Sequence, residues 1–156
     1  MPNTYSQIYI QVIFATKGRE NKIRSEFREE IEKYITGIFT NKGQKIIAIY
    51  LNPDHIHIFF SYKNLMIGIP ELMKVVKIES TNFINDKKMV QGRFCWQLGY
   101  GAFSYAKSQK DAVTKYILNQ EEHHRKRGFR EEYLDLLKKF EVDFNEEYLF
   151  EFYDDL

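Results

Sequence analysis

Two histidines, His55 and His57, flank a single isoleucine in the stretch HIHIFFS. In an extended strand, residues two apart point to the same face, about 7 Å from one another along the chain. Two imidazoles held side by side in this way can bind a metal ion or do acid–base work, or they can be surface residues of a half-exposed strand. The chain has only 4 histidines, and the remaining pair, His123 and His124, is adjacent. Tyr116 and Gln120 lie four apart in DAVTKYILNQEEHHRKR and therefore stack on one helix face. A phenol is a competent nucleophile once something helps to ionise it, and a glutamine carbonyl can serve as a third metal ligand. The bland alternative is a packing face made of Val113, Tyr116 and Ile117, in a chain with 11 tyrosines. His123 and His124 could join DNA contacts or tune the site, and the cheaper reading is a solvated helix end. Just beyond them Arg125, Lys126, Arg127 and Arg130 form a basic cluster suited to phosphates, or to the negative end of a helix dipole. Tyr100, Phe103 and Tyr105 offer rings that could stack on bases, with at least one packing inward. No residue declares itself as the acceptor of the tyrosine proton; Lys115, Asp54 and His124 are near in sequence and read as surface or supporting groups.

These residues need elements to hold them. Residues 5–14 alternate apolar and polar positions through Ile8, Ile10, Val12 and Phe14, which predicts a strand with one buried face. Ser25 is a plausible N-cap for a helix over about 25–40, carried by Phe27, Ile31, Tyr34, Ile35 and Ile38. Residues 44–51 are apolar on both faces, and Asn52-Pro53-Asp54 is a turn signal, so 44–51 and 55–61 are expected to form an antiparallel hairpin. Pro70 suits the first turn of a second helix reaching about Asn85, with Leu72, Met73, Val76 and Phe83 inward. A last strand falls around 100–106, followed by helices at about 109–125 and 129–139 and a polar tail. Strand, helix, strand, strand, helix, strand is the split βαβ order, so the expected class is α+β, a ferredoxin-like βαββαβ unit with an antiparallel sheet and extra C-terminal helices.

The chain has 156 residues, enough for one domain. No apolar run approaches the roughly 20 residues of a membrane span, and nothing after Met1 resembles a cleavable signal. A lone Cys95 excludes an internal disulfide framework and fits a reducing cytoplasm. The net charge of +1 argues at first sight against a nucleic-acid partner, but its distribution does not. Residues 1–130 carry 21 basic and 12 acidic side chains; residues 131–156 carry 2 basic and 10 acidic. A basic body, 1–130, is thus expected to be followed by an acidic helix and tail, 131–156, that belongs to the same domain and either solvates the surface or competes with DNA.

Together, His55-Ile56-His57, Tyr116-Ile117-Leu118-Asn119-Gln120, the phrase WQLGYGAFSYAKSQ and the run YILNQEEHHRKRGFREEYLDLLKKF resemble the single-tyrosine HUH transposases of bacterial insertion sequences, the insertion-sequence-200/605 family. The resemblance extends from the first strand to about residue 150. It implies a ferredoxin-like catalytic domain working as a homodimer, often with composite sites in which the histidine pair and the tyrosine come from different subunits. It implies a divalent metal, Mg2+ or Mn2+, on His55, His57 and Gln120, although imidazole donors by themselves suit Mn2+ and other transition ions better than Mg2+. It implies Tyr116 as a nucleophile that cuts single-stranded DNA at element ends bearing hairpins and keeps the bond energy in a 5′-phosphotyrosine link. The competing readings are a domesticated relative that processes chromosomal repeats, a non-catalytic single-strand-binding module, and a metal-dependent hydrolase with water as nucleophile.

Overall fold

The structure, a computed structural model, describes residues 3–18 and 23–153, apart from the side chains of His124 and Arg125. Four strands, β1 Tyr9–Ala15, β2 Lys45–Leu51, β3 His55–Ser61 and β4 Gly101–Tyr105, form one sheet in the order β2-β3-β1-β4. Every neighbouring pair is antiparallel. Helices α1 Arg28–Asn41 and α2 Ile69–Asp86 connect β1 to β2 and β3 to β4. Three helices follow β4: α3 Lys110–Leu118, α4 Gln120–Lys126 and α5 Phe129–Lys139. This is the ferredoxin-like α+β arrangement with a helical C-terminal addition.

Register decides what each face of the sheet carries. Val12 pairs with Ile58 and Phe14 with Ile56, so these apolar side chains share a face, which α1 and α2 cover with Ile31, Ile35, Phe39, Leu72 and Val76. Trp96 closes that core and donates its indole N–H to Ser80 at 2.9 Å, which removes the cost of burying the donor. On the opposite face, Ile13 pairs with His57, Ala15 with His55, and Gln11 with Phe59. There α3 lays Val113 and Ile117 against Ala48 and Phe59, and α5 brings Phe129, Tyr133 and Leu137 into the main core.

Several sequence expectations are corrected here. The first strand is shorter than 5–14, and β1 and β3 are buried on both faces because α3 and α5 cover the second one. Ser25 opens a short 3-10 turn, Ser25–Phe27, and Phe27 occupies the N-cap of α1 without a side-chain capping bond. The single helix expected at 109–125 is broken at Asn119, whose φ of −104° and ψ of 27° are not helical. Asparagine readily trades helical geometry for local alternatives. Tyr116 therefore lies in the last turn of α3 while Gln120 begins α4. Phe103 and Tyr105 do not project freely as a platform: they pack on Phe140 with ring centroids 5.0 and 5.2 Å away, although Tyr105 keeps one side on a cavity. Residues 149–153 are not a solvated tail. Phe150 packs on Phe129 and Tyr133, and Gln97 ties Glu151 by its backbone N–H at 2.7 Å and its carbonyl at 2.9 Å. Among the described residues, no helix is long and apolar enough to cross a membrane.

Candidate active site

His55 and His57 are 1% and 0% exposed, which removes the reading of the pair as surface residues. The hairpin turn supplies the first support: Asp54 Oδ1 lies 2.7 Å from His55 Nδ1. A carboxylate accepts, so His55 Nδ1 carries a hydrogen and Nε2 is the atom turned to the interior of the site. Asn52 donates its amide to that Nε2 at 3.2 Å. The ring is also clamped by Phe129 of α5, stacked 3.8 Å away at 6°. His57 is oriented in the same sense by β1, since Gln11 Oε1 sits 2.7 Å from its Nδ1 and Gln11 Nε2 in turn donates to the Tyr105 hydroxyl at 2.7 Å. Histidines that give Nδ1–H to an oxygen and present Nε2 are in the tautomer a metal requires.

The third group at this point is one that sequence reasoning missed. Glu132, on the first turn of α5, is 1% exposed, and its Oε1 lies 3.2 Å from His57 Nε2 and 3.5 Å from His55 Nε2. One donor atom from each of His55, His57 and Glu132 falls within 4.8 Å of the others. Its second oxygen accepts from the Tyr116 hydroxyl, and from Gln120 Nε2 at 3.2 Å. Gln120 is fully buried and its carbonyl oxygen accepts from Asn52 at 3.1 Å, so the amide links the turn, α4 and α5. The donor set fits a divalent ion: two imidazole nitrogens and one carboxylate oxygen converge in a buried place, where a divalent cation would offset their mutual repulsion. Burial acts to lower the His55 pKa, but the Asp54 and Glu132 carboxylates outweigh it and raise the pKa above its ordinary value.

Tyr116 stands beside the pair, its ring 6.3 Å from that of His57. Burial, and then the Glu132 carboxylate, hold its phenol well above the ordinary tyrosine range, while Arg127 works in the other direction. His123 stacks on the phenol ring at 4.3 Å, so it belongs to the surroundings of Tyr116 and is not merely part of a solvated helix end. Of the basic cluster, Arg127 turns toward the site, where it interacts with Tyr116 and pairs with Asp135, whereas Lys126 and Arg130 are exposed. The side chain of Arg125 lies outside the described residues. Lys115 is exposed, and Asp54 serves His55. A cavity of about 300 Å³ opens beside the phenol, walled by Gln11, Tyr105, Val113, Tyr116, Arg127 and Glu132.

The ferredoxin-like sheet thus carries a buried His-x-His pair on its central strand β3, and α3 holds a tyrosine against it. Residues 4–120 match the family model described as IS200-like transposase, and the chain belongs to that family. Among solved structures, it is similar to a provisionally assigned transposase of Deinococcus radiodurans R1, with a TM-score of 0.58 and 20% identity over 76% of this chain and 94% of that one. It is also similar to a REP-associated tyrosine transposase bound to a REP hairpin, with a TM-score of 0.58 and 12% identity over 78% of this chain and 72% of that one. No curated protein matches the chain. The family match stops at residue 120, so Glu132 lies beyond it.

Proposed function

We propose that this transposase cleaves and rejoins single-stranded DNA at insertion-sequence ends, with Tyr116 as the nucleophile. The observation that carries the reading is the convergence, within one chain, of the Tyr116 hydroxyl and the two histidine Nε2 atoms on the same buried carboxylate. The phenol oxygen attacks the scissile phosphorus in line; the new bond is tyrosine O–P, the broken one is P–O3′, and the departing 3′-oxygen is protonated. The product is a 5′-phosphotyrosine and a free 3′-hydroxyl. Because the ester linkage is conserved, a second 3′-hydroxyl can attack the phosphotyrosine and restore both a DNA bond and the free phenol. Strand transfer then needs no nucleotide cofactor. A divalent cation, Mg2+ or Mn2+, held by His55 and His57, would polarise the phosphate and offset its developing charge, and Gln120 would add its carbonyl oxygen only by turning it away from Asn52.

Arg127 beside the phenol is placed to meet phosphate charge, with Lys126, Arg130 and Arg125 as further cations on the same stretch. The cavity next to Tyr116 is where a nucleotide flanking the cut would enter. The hairpin-bound neighbour is the reason to propose hairpin ends as substrate, and a homodimer would bring two ends together. The test is a covalent adduct. A single-stranded end with Mn2+ or Mg2+ should yield a protein–DNA band that survives denaturation, and Tyr116→Phe should abolish that band while leaving DNA binding intact. An adduct formed by Tyr116→Phe would overturn the nucleophile, and chelator-insensitive binding without any adduct would make the protein a binding module.

A further inference from the structure

We propose that Glu132 is a ligand of the cation at the His55–His57 pair and, through its other oxygen, the positioning residue for the Tyr116 hydroxyl. The proposal rests on reading the site as a metal-assisted tyrosine centre, and adds to it a residue from the acidic C-terminal segment. A buried carboxylate is costly unless several partners compensate it, and Glu132 is 1% exposed on a helix face otherwise made of Phe129, Tyr133 and Leu137. Its two oxygens are divided between two tasks. Oε1 faces both histidine Nε2 atoms, at 3.2 and 3.5 Å. Oε2 accepts from Tyr116 and from Gln120.

Gln120 offers Glu132 its amide nitrogen and turns its carbonyl to Asn52, so the oxygen already aimed at the imidazoles is the carboxylate's. Two imidazoles and one carboxylate form a donor set that leaves positions open for substrate oxygens. The carboxylate also supplies the hard, anionic oxygen that an imidazole pair lacks for Mg2+ or Mn2+. With Oε1 on the cation and Oε2 on the phenol, one rigid side chain sets the distance between the cation and the nucleophile. The opposite role is also physically possible: a carboxylate that occupies the place of the substrate phosphate and must be displaced. The two roles predict opposite signs for the same substitution.

The experiment is a Mn2+ titration of the DNA-free full chain, followed by the electron paramagnetic resonance signal of unbound Mn2+, on the wild type, Glu132→Gln, Glu132→Asp and His57→Ala. The expected result is a Kd raised about tenfold or more in Glu132→Gln, a smaller rise in Glu132→Asp, and loss of the site in His57→Ala. At saturating Mn2+ Glu132→Gln should still form adduct about tenfold more slowly, with unchanged affinity for the strand. Unchanged or tighter Mn2+ binding by Glu132→Gln would overturn the ligand role and leave the metal reading standing. Full recovery of the adduct rate at saturating Mn2+ would overturn the positioning role. A wild type that binds no Mn2+ would overturn the metal reading of the site together with this proposal. If Glu132→Gln does not fold, Mn2+-loaded crystals of the wild type decide: a carboxylate oxygen of Glu132 at bonding distance supports ligation, and a carboxylate turned away overturns it.

Discussion

Gln11 shows how much of this site depends on residues that do no chemistry. It is a polar side chain 1% exposed on a strand of Ile, Val and Phe, and both ends of its amide are used. The carbonyl takes the His57 Nδ1–H and the nitrogen donates to Tyr105, whose phenol burial pushes up to about 12 and so keeps neutral. If the carbonyl is removed, His57 can rotate or keep its hydrogen on Nε2, and neither arrangement presents a lone pair to a cation. Gln11→Leu preserves bulk and removes the acceptor. The expected outcome is Mn2+ affinity about 10- to 100-fold weaker, the usual cost of losing a partner behind a metal-bound histidine. Titration alongside a thermal melt checks it; unchanged affinity would mean that the strand backbone alone orients the ring. Asp54 plays the matching part for His55 while Asn52 donates to its Nε2, so a turn read only as Asn-Pro-Asp punctuation carries two contacts to the site.

At the scale of elements, α5 turns an open sheet face into an enclosed site. Its Phe129 clamps His55, its Glu132 reaches both histidines, and its Tyr133 lies over β4. That last contact is possible only because position 101 has no side chain: a Cβ there would stand 2.6 Å from the Tyr133 hydroxyl and 2.9 Å from its ring. Tyr133 is 5% exposed and cannot simply swing away. Gly101→Ala is therefore expected to lift α5, to destabilise the fold by about 1–3 kcal/mol, and to weaken Mn2+ binding through displacement of Glu132. Urea unfolding and the Mn2+ titration measure the two effects; loss of stability with intact Mn2+ affinity would separate α5 packing from the site. The sheet, its two crossover helices and the His55–His57 spacing were legible because periodicity and turn residues are local signals. The role of α5 was not, because a helix rich in Glu and Asp reads as solvated. Its one local clue was positional: Glu132 falls on the apolar stripe, three residues after Phe129 and four before Leu136, where a charge has no reason to be without partners. The break at Asn119 was equally hidden, since both halves keep helical spacing across it.

For the molecule as a whole, the division into a basic body and an acidic extension is less clean than the charge arithmetic implies. Glu132 and Asp135 belong by number to the acidic part, yet one accepts from Tyr116 between the two histidines and the other pairs with Arg127 beside that tyrosine. The extension is thus built into the site, and this bears on whether a dimer shares its active centres. Within one chain, the Tyr116 ring is 6.3 Å from His57 and the path from β3 to α5 is closed by packed rings. For a neighbour's tyrosine to replace it, α3 to α5 would have to leave the sheet and expose Val113, Ile117, Phe129, Tyr133 and Leu137, all of them buried. At roughly 1.5–3 kcal/mol for each large side chain, that exchange costs more than a typical domain can spare unless the partner's helices replace every contact. The expectation is a self-contained site in each subunit, whatever the oligomeric state. Mixing Tyr116→Phe with His57→Ala protein tests it: shared sites would regenerate one intact centre and restore a measurable fraction of adduct. Self-contained sites leave the mixture as inactive as its components, because each chain then lacks either its own nucleophile or its own metal ligand.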